Sequence, residues 1–122
     1  MLDQMRSENN DIRGQAEKRY KMTLAQSPDA IMHALLQTGR THADFNTRYF
    51  CLTQLRSVIS VPPENHTRRL FVLLGDDVKE MFKTELINGF MIDDQLLCRK
   101  GFADLIADVA SILCTGFVVD LY

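Results

Sequence analysis

Cys51 is the residue of this chain best suited to nucleophilic chemistry, provided a histidine takes its proton and an acid orients that histidine. His33, His42 and His66 lie on three different segments, and none has an acid at a spacing that would orient it. The expected state of Cys51 is therefore a buried structural thiol. Two adjacent carboxylate pairs, Asp76-Asp77 and Asp93-Asp94, carry the elements of acid–base or metal chemistry. Neither pair is joined by a histidine or cysteine, and adjacent acids at helix starts are ordinary caps. Gly75 and Gly89 belong to no phosphate-cradling loop of the GxGxxG or GK[ST] type, so the chain carries no nucleotide signature of its own. The methionines, scattered along the apolar positions, read as core filling. The expectation is a protein without catalysis, cofactor or metal.

What remains to be explained is the elements themselves. The chain has 122 residues, 46% of them apolar, enough for one domain with a modest core. Its formal net charge of −2 gives no field that would draw nucleic acid or an anionic membrane. The basic pairs Lys18-Arg19, Arg68-Arg69 and Arg99-Lys100 fit solvated helix faces. Cys51, Cys98 and Cys114 form no CxxC and all sit among apolar residues, which fits reduced, buried thiols in the cytoplasm or nucleus. The start, MLDQMRSENND, lacks an apolar signal region and no stretch has the length of a membrane span, so a soluble intracellular chain is expected.

Helical spacing dominates the pattern. After a possible helix end at Met1–Ser7, Asn10 or Asp11 caps a helix to about Ala25 carrying Ile12, Ala16, Tyr20 and Leu24. Ser27-Pro28-Asp29 starts a second helix, which should stop at Gly39. Asp44 opens a third that ends before Pro62-Pro63. Leu70–Leu74 is too short to arbitrate by length and is expected to be a helix or turn, because its neighbours are helical. Asp76-Asp77 caps the stripe Val78, Met81, Phe82, Leu86, Ile87 and Phe90. Asp93-Asp94 caps the last helix, expected to end at Thr115-Gly116 with an apolar tail behind it. The grammar of the Asp44 helix returns about fifty residues on, in the Asp94 helix. Recurrence at that interval suggests stacked antiparallel hairpins: 28–38 with 43–59 and 76–91 with 94–114, preceded by 11–25 with a fragmentary partner.

Four ordered segments carry a resemblance: NDIRGQAEKRY, SPDAIMHALLQ, TRYFCLTQLRSVI, and LLGDDVKEMFKTELINGF followed by CRKGFADLIADVASIL. Over about residues 8–114 their order and spacing resemble the N-terminal region of the importin-β (karyopherin-β) superfamily. Cys51-Leu52 stands where members usually carry paired small residues, and the connection from Pro62 to Leu74 departs from theirs. The resemblance implies an all-α, HEAT-type solenoid of about three helical hairpins, forming one N-terminal region over residues 1–122. It also implies a protein-binding module of nucleocytoplasmic import whose partners are the small GTPase Ran in its GTP form, cargo proteins and nucleoporins. The matching helices supply Arg13 and Lys18, then Arg48, Gln54 and Arg56, then Arg99 and Asp104 as partner-binding residues. The alternative is a repeat scaffold or regulatory fragment without transport, in which Asp44, Arg48 and Arg99 serve only as rungs between repeats.

Overall fold

The computed structural model describes residues 2–62 and 68–121. The chain is all-helical, and no strand occurs among the described residues. A single 3-10 turn, Gln4–Arg6, precedes α1 (Asn10–Gln26), α2 (Pro28–Thr41), α3 (Phe45–Ser60), the one-turn α4 (Leu70–Leu73), α5 (Asp76–Ile92) and α6 (Leu96–Leu121). The segment Leu70–Leu74, expected to be a helix or turn, is a single helical turn, α4, ending at Leu73.

Several helix ends differ from the expectation. Asn9, not Asn10 or Asp11, caps α1: its Oδ1 accepts the N–H groups of Asp11 and Ile12 at 2.9 and 3.2 Å. Ser27 occupies the cap position of α2 but makes no side-chain cap bond, leaving Pro28 as the start signal. Gly75 is the cap residue of α5, so Asp76 and Asp77 lie in its first turn, where they complement the helix dipole without capping. Asp93 does not cap α6 either: its Oδ1 accepts the N–H of Gln95, the residue just before the helix, at 2.9 Å. At the far end α6 does not stop at Thr115-Gly116 but continues to Leu121. The apolar character of the tail beyond Cys114 falls on side chains outside the described ones.

Gly39 does not end α2, which runs on to Thr41. It is buried because α3 crosses there: a Cβ on Gly39 would meet Leu52 Cδ2 at 2.8 Å. The same notch recurs in the second hairpin, where a Cβ on Gly89 would run into the Phe102 ring. Both glycine and contact partner are displaced by the same 50 positions. The buried residues Met32, Leu36, Leu55 and Ile59 likewise have buried counterparts in Phe82, Leu86, Leu105 and Val109.

The short connections 42–44 and 93–95 leave α2 and α3, and α5 and α6, antiparallel and in contact as two hairpins. These lie side by side, α3 against α6 and α2 against α5. At the first crossing Gly101 approaches Leu52 as well, at 3.0 Å from a built Cβ to Cδ1. One hydrophobic core runs through both hairpins, from Tyr20 and Ile31 to Val109 and Ile112, with Phe71 and Phe82 tilted against each other at 5.5 Å. α4 packs on α3 and α6, so Leu70 and Phe71 close the core at one end. α1 and the N-terminal turn cover the other flank of the first hairpin.

Candidate protein-binding surface

Charged side chains cross between the two hairpins, from α2 to α5 and from α3 to α6 and the connection before it. Arg40, Arg48 and Arg56 recur every eight residues along α2 and α3, and each reaches an acid of the second hairpin. Arg40 Nε donates to Glu85 at 3.0 Å. Arg48 donates through Nε and Nη2 to both oxygens of Asp93 at 3.2 Å, through Nη2 to Asp94 at 3.3 Å, and through Nη1 to the His42 carbonyl at 2.8 Å. Arg56 holds Asp108 by two bonds of 2.7 and 3.2 Å and lies 3.7 Å from Asp104.

These three bridges differ in worth because their burial differs. The Arg48 side chain is 11% exposed and that of Asp93 4%, so both depend on each other for their charge. Burial opposes the charge on Arg48, but the Asp93 carboxylate more than offsets it, and the guanidinium is held above its already high ordinary range. The Arg56 pairs are nearer the surface and contribute on the order of 0.2–1 kcal/mol, less at high salt. Asp44, at the start of α3, is held below the usual carboxylate range chiefly by the Thr47 hydroxyl, which donates to it at 2.9 Å. Arg6 of the N-terminal turn also donates to Asp44 and to Thr47.

The residues expected to meet a partner are thereby dispersed. Arg48 is occupied inside the chain, and Arg56 and Asp104 bind each other across α3 and α6. Arg13 is held locally by Asn10 at 2.6 Å and the Ser7 carbonyl at 3.5 Å, with Glu17 at 4.0 Å. Gln54 is half-buried at a groove between α1 and α3. Lys18 and Arg99 are exposed and make no salt bridge among the described residues. Of the two arginines read alternatively as rungs, Arg48 takes that position and Arg99 does not. Sequence reasoning missed Glu85, Asp93 and Asp108 as partners. A signal existed: Arg40–Glu85 and Arg48–Asp93 are both 45 residues apart, close to the hairpin interval.

The thiols divide by position. Cys51 and Cys98 are buried, whereas Cys114 is exposed, contrary to the expectation that all three are interior. Burial pushes the Cys51 thiol up to about 11, and burial followed by the nearby Asp93 raises that of Cys98, which donates to the Phe45 carbonyl at 3.4 Å. A thiol raised on folding adds stability that is complete below the ordinary thiol range and is lost as pH climbs toward about 11. At pH 8 a thiol-exchange reagent is therefore expected to label one cysteine of the three quickly and the other two only at the rate of unfolding. Two or more fast thiols in the folded chain would contradict this packing.

Among the described residues, no group of three His, Cys, Asp or Glu side chains is placed to hold a metal. No helix there is long and apolar enough to cross a membrane. Comparison of the chain with models of known protein families, with curated proteins and with solved structures finds no match.

Proposed function

We propose that the chain is a HEAT-type solenoid of about three hairpins, the N-terminal protein-binding region of a karyopherin-β-like nuclear transport receptor. The observation that carries this reading is the 50-residue repeat: Gly39 with Leu52 recurs as Gly89 with Phe102, in hairpins joined helix to helix by the arginine bridges. Such stacking puts the second helix of each hairpin on one continuous surface, a shape suited to holding a folded protein. The ordered sequence segments resembling that superfamily support the same reading. Its partners are Ran in the GTP form, import cargo and nucleoporins, and its work lies in the cytoplasm and nucleus. It uses no cofactor, catalyses no reaction, and binds neither nucleic acid nor membrane directly. Lys18, Arg99, Gln54 and Arg13 are the residues of the expected set left to face a partner, with Arg56 and Asp104 contributing as a paired rim.

A second reading, a repeat scaffold or regulatory fragment without transport, is favoured by one observation: Arg48 and Arg56 are already engaged within the chain. Titration of the purified chain with Ran loaded with GTP or with GDP separates the two. Binding confined to the GTP form, weakened by Lys18→Glu and Arg99→Glu, supports the receptor. No binding of either form at roughly tens of micromolar leaves the scaffold.

A further inference from the structure

The 50-residue step that carries the first hairpin onto the second keeps the core but changes the chemistry around the connection. In the first hairpin these positions are polar, and three are engaged within the chain. Arg40 holds Glu85, His42 lies 3.3 Å from Asp3, and Thr47 accepts from Arg6. Thr41 and Asn46 complete the set. Fifty positions on stand Phe90, Met91, Ile92, Leu96 and Leu97, all of them large and apolar.

All five are exposed, and Met91, Ile92 and Leu96 keep 72%, 70% and 76% of their surface open. They gather at one place, the end of α5 and the start of α6. Single exposed apolar residues are ordinary, but five within eight positions make a patch of the kind that marks an interface. The patch is also electrically quiet. Asp93 and Asp94, the acids of its connection, are both held by Arg48. A partner therefore need bring no charge, and an apolar surface of the same kind settles on it without stranding an acid.

We propose that this patch pairs with itself, so that two copies of the chain form a dimer about a two-fold axis at the α5–α6 connection. The first hairpin offers the patch of another copy no match, because its equivalent positions are polar and largely engaged. Its outer flank is likewise taken, by α1 and the N-terminal turn. Head-to-tail stacking is thereby closed off. Patch on patch is the arrangement that remains, and it ends at two copies. A contact of this size falls at the small end of stable interfaces, which sets the expected affinity in the micromolar range. The dimer stands on the patch alone, whether or not the chain serves transport.

Sedimentation equilibrium of the full chain, in reducing buffer so that the exposed Cys114 forms no disulfide, tests the pairing. Between about 1 and 200 µM the mean mass should climb from one chain toward two and level there. Met91→Thr with Leu96→Asn puts into the second hairpin the residues of the first, and should weaken the pairing at least about tenfold. Both sites are exposed, so the melting temperature should hold. Phe90→Arg alone checks the same patch from α5 and should act in the same direction. Met22→Thr, at an exposed site on α1, should leave the dimer intact. A single-chain mass at every concentration overturns the proposal, as does a mass that keeps rising past two chains. So does pairing that is unchanged in both patch variants, or lost in Met22→Thr.

Discussion

Replacing Arg48 with methionine is expected to destabilise the chain by about 3–5 kcal/mol, because it leaves the Asp93 carboxylate enclosed without its cation. The substitution keeps most of the side-chain volume, so the loss is electrostatic rather than a cavity. Asp93 retains the Gln95 N–H as a donor, but one neutral bond does not replace a two-pronged guanidinium. The Arg48→Met, Asp93→Leu double variant should recover more than half of the loss, since it removes both charges. Urea unfolding followed by circular dichroism measures both. A single variant within about 0.5 kcal/mol of the parent would mean that water reaches Asp93 freely.

The second large effect is expected at Phe102, whose ring fills the notch over Gly89. Phe102→Ala should cost about 3–5 kcal/mol, the usual range for removing a fully buried aromatic ring. More informative is its coupling to Gly89. In the parent, Gly89→Ala drives a methyl group into the ring and should cost about 1–3 kcal/mol. With Phe102 already alanine the obstruction is gone, and the gain in helix propensity, about 1 kcal/mol, should make the same change neutral or favourable. A reversal of sign across that double-mutant cycle is the readout. Equal effects of Gly89→Ala in both backgrounds would place the close approach elsewhere.

These two sites also show how far the chain could be read before its structure. The helices were legible because Val78, Met81, Phe82 and Leu86 and, further on, Phe102, Leu105 and Val109 recur at intervals of three, four and seven, which a 3.6-residue period satisfies. The hairpin interval was legible too, from the likeness of the Asp44 and Asp94 helices. Glycine was misread at position 39, because an isolated glycine signals either a helix end or a close crossing. The choice depends on Leu52, which a local window never brings alongside. The acids at 76, 77, 93 and 94 were placed at helix starts, yet none caps its helix directly, since a cap depends on one residue of register.

The charged residues were the least legible part. Their types and their amphipathic positions were plain, but whether an arginine faces a partner or an acid of the same chain is a question of which helix lies beside it. Arg48 and Arg99 look alike in sequence. The first is closed in by the α5–α6 connection, and the second, on α6, makes no salt bridge among the described residues. Cys114 was misjudged because apolar neighbours do not by themselves mark the buried face: Phe102, Leu105, Val109 and Ile112 form the buried stripe of α6, and Cys114 lies off it.

Leu52 lies in two glycine depressions at once, that of Gly39 within its own hairpin and that of Gly101 in the next. Leu52 is thus shared by both seams, with the Arg48 and Arg56 bridges about one turn to either side of it along α3. A bulkier residue there would press on both hairpins at once, and any opening between them would stretch the Arg48–Asp93 and Arg56–Asp108 bridges that cross the same seam.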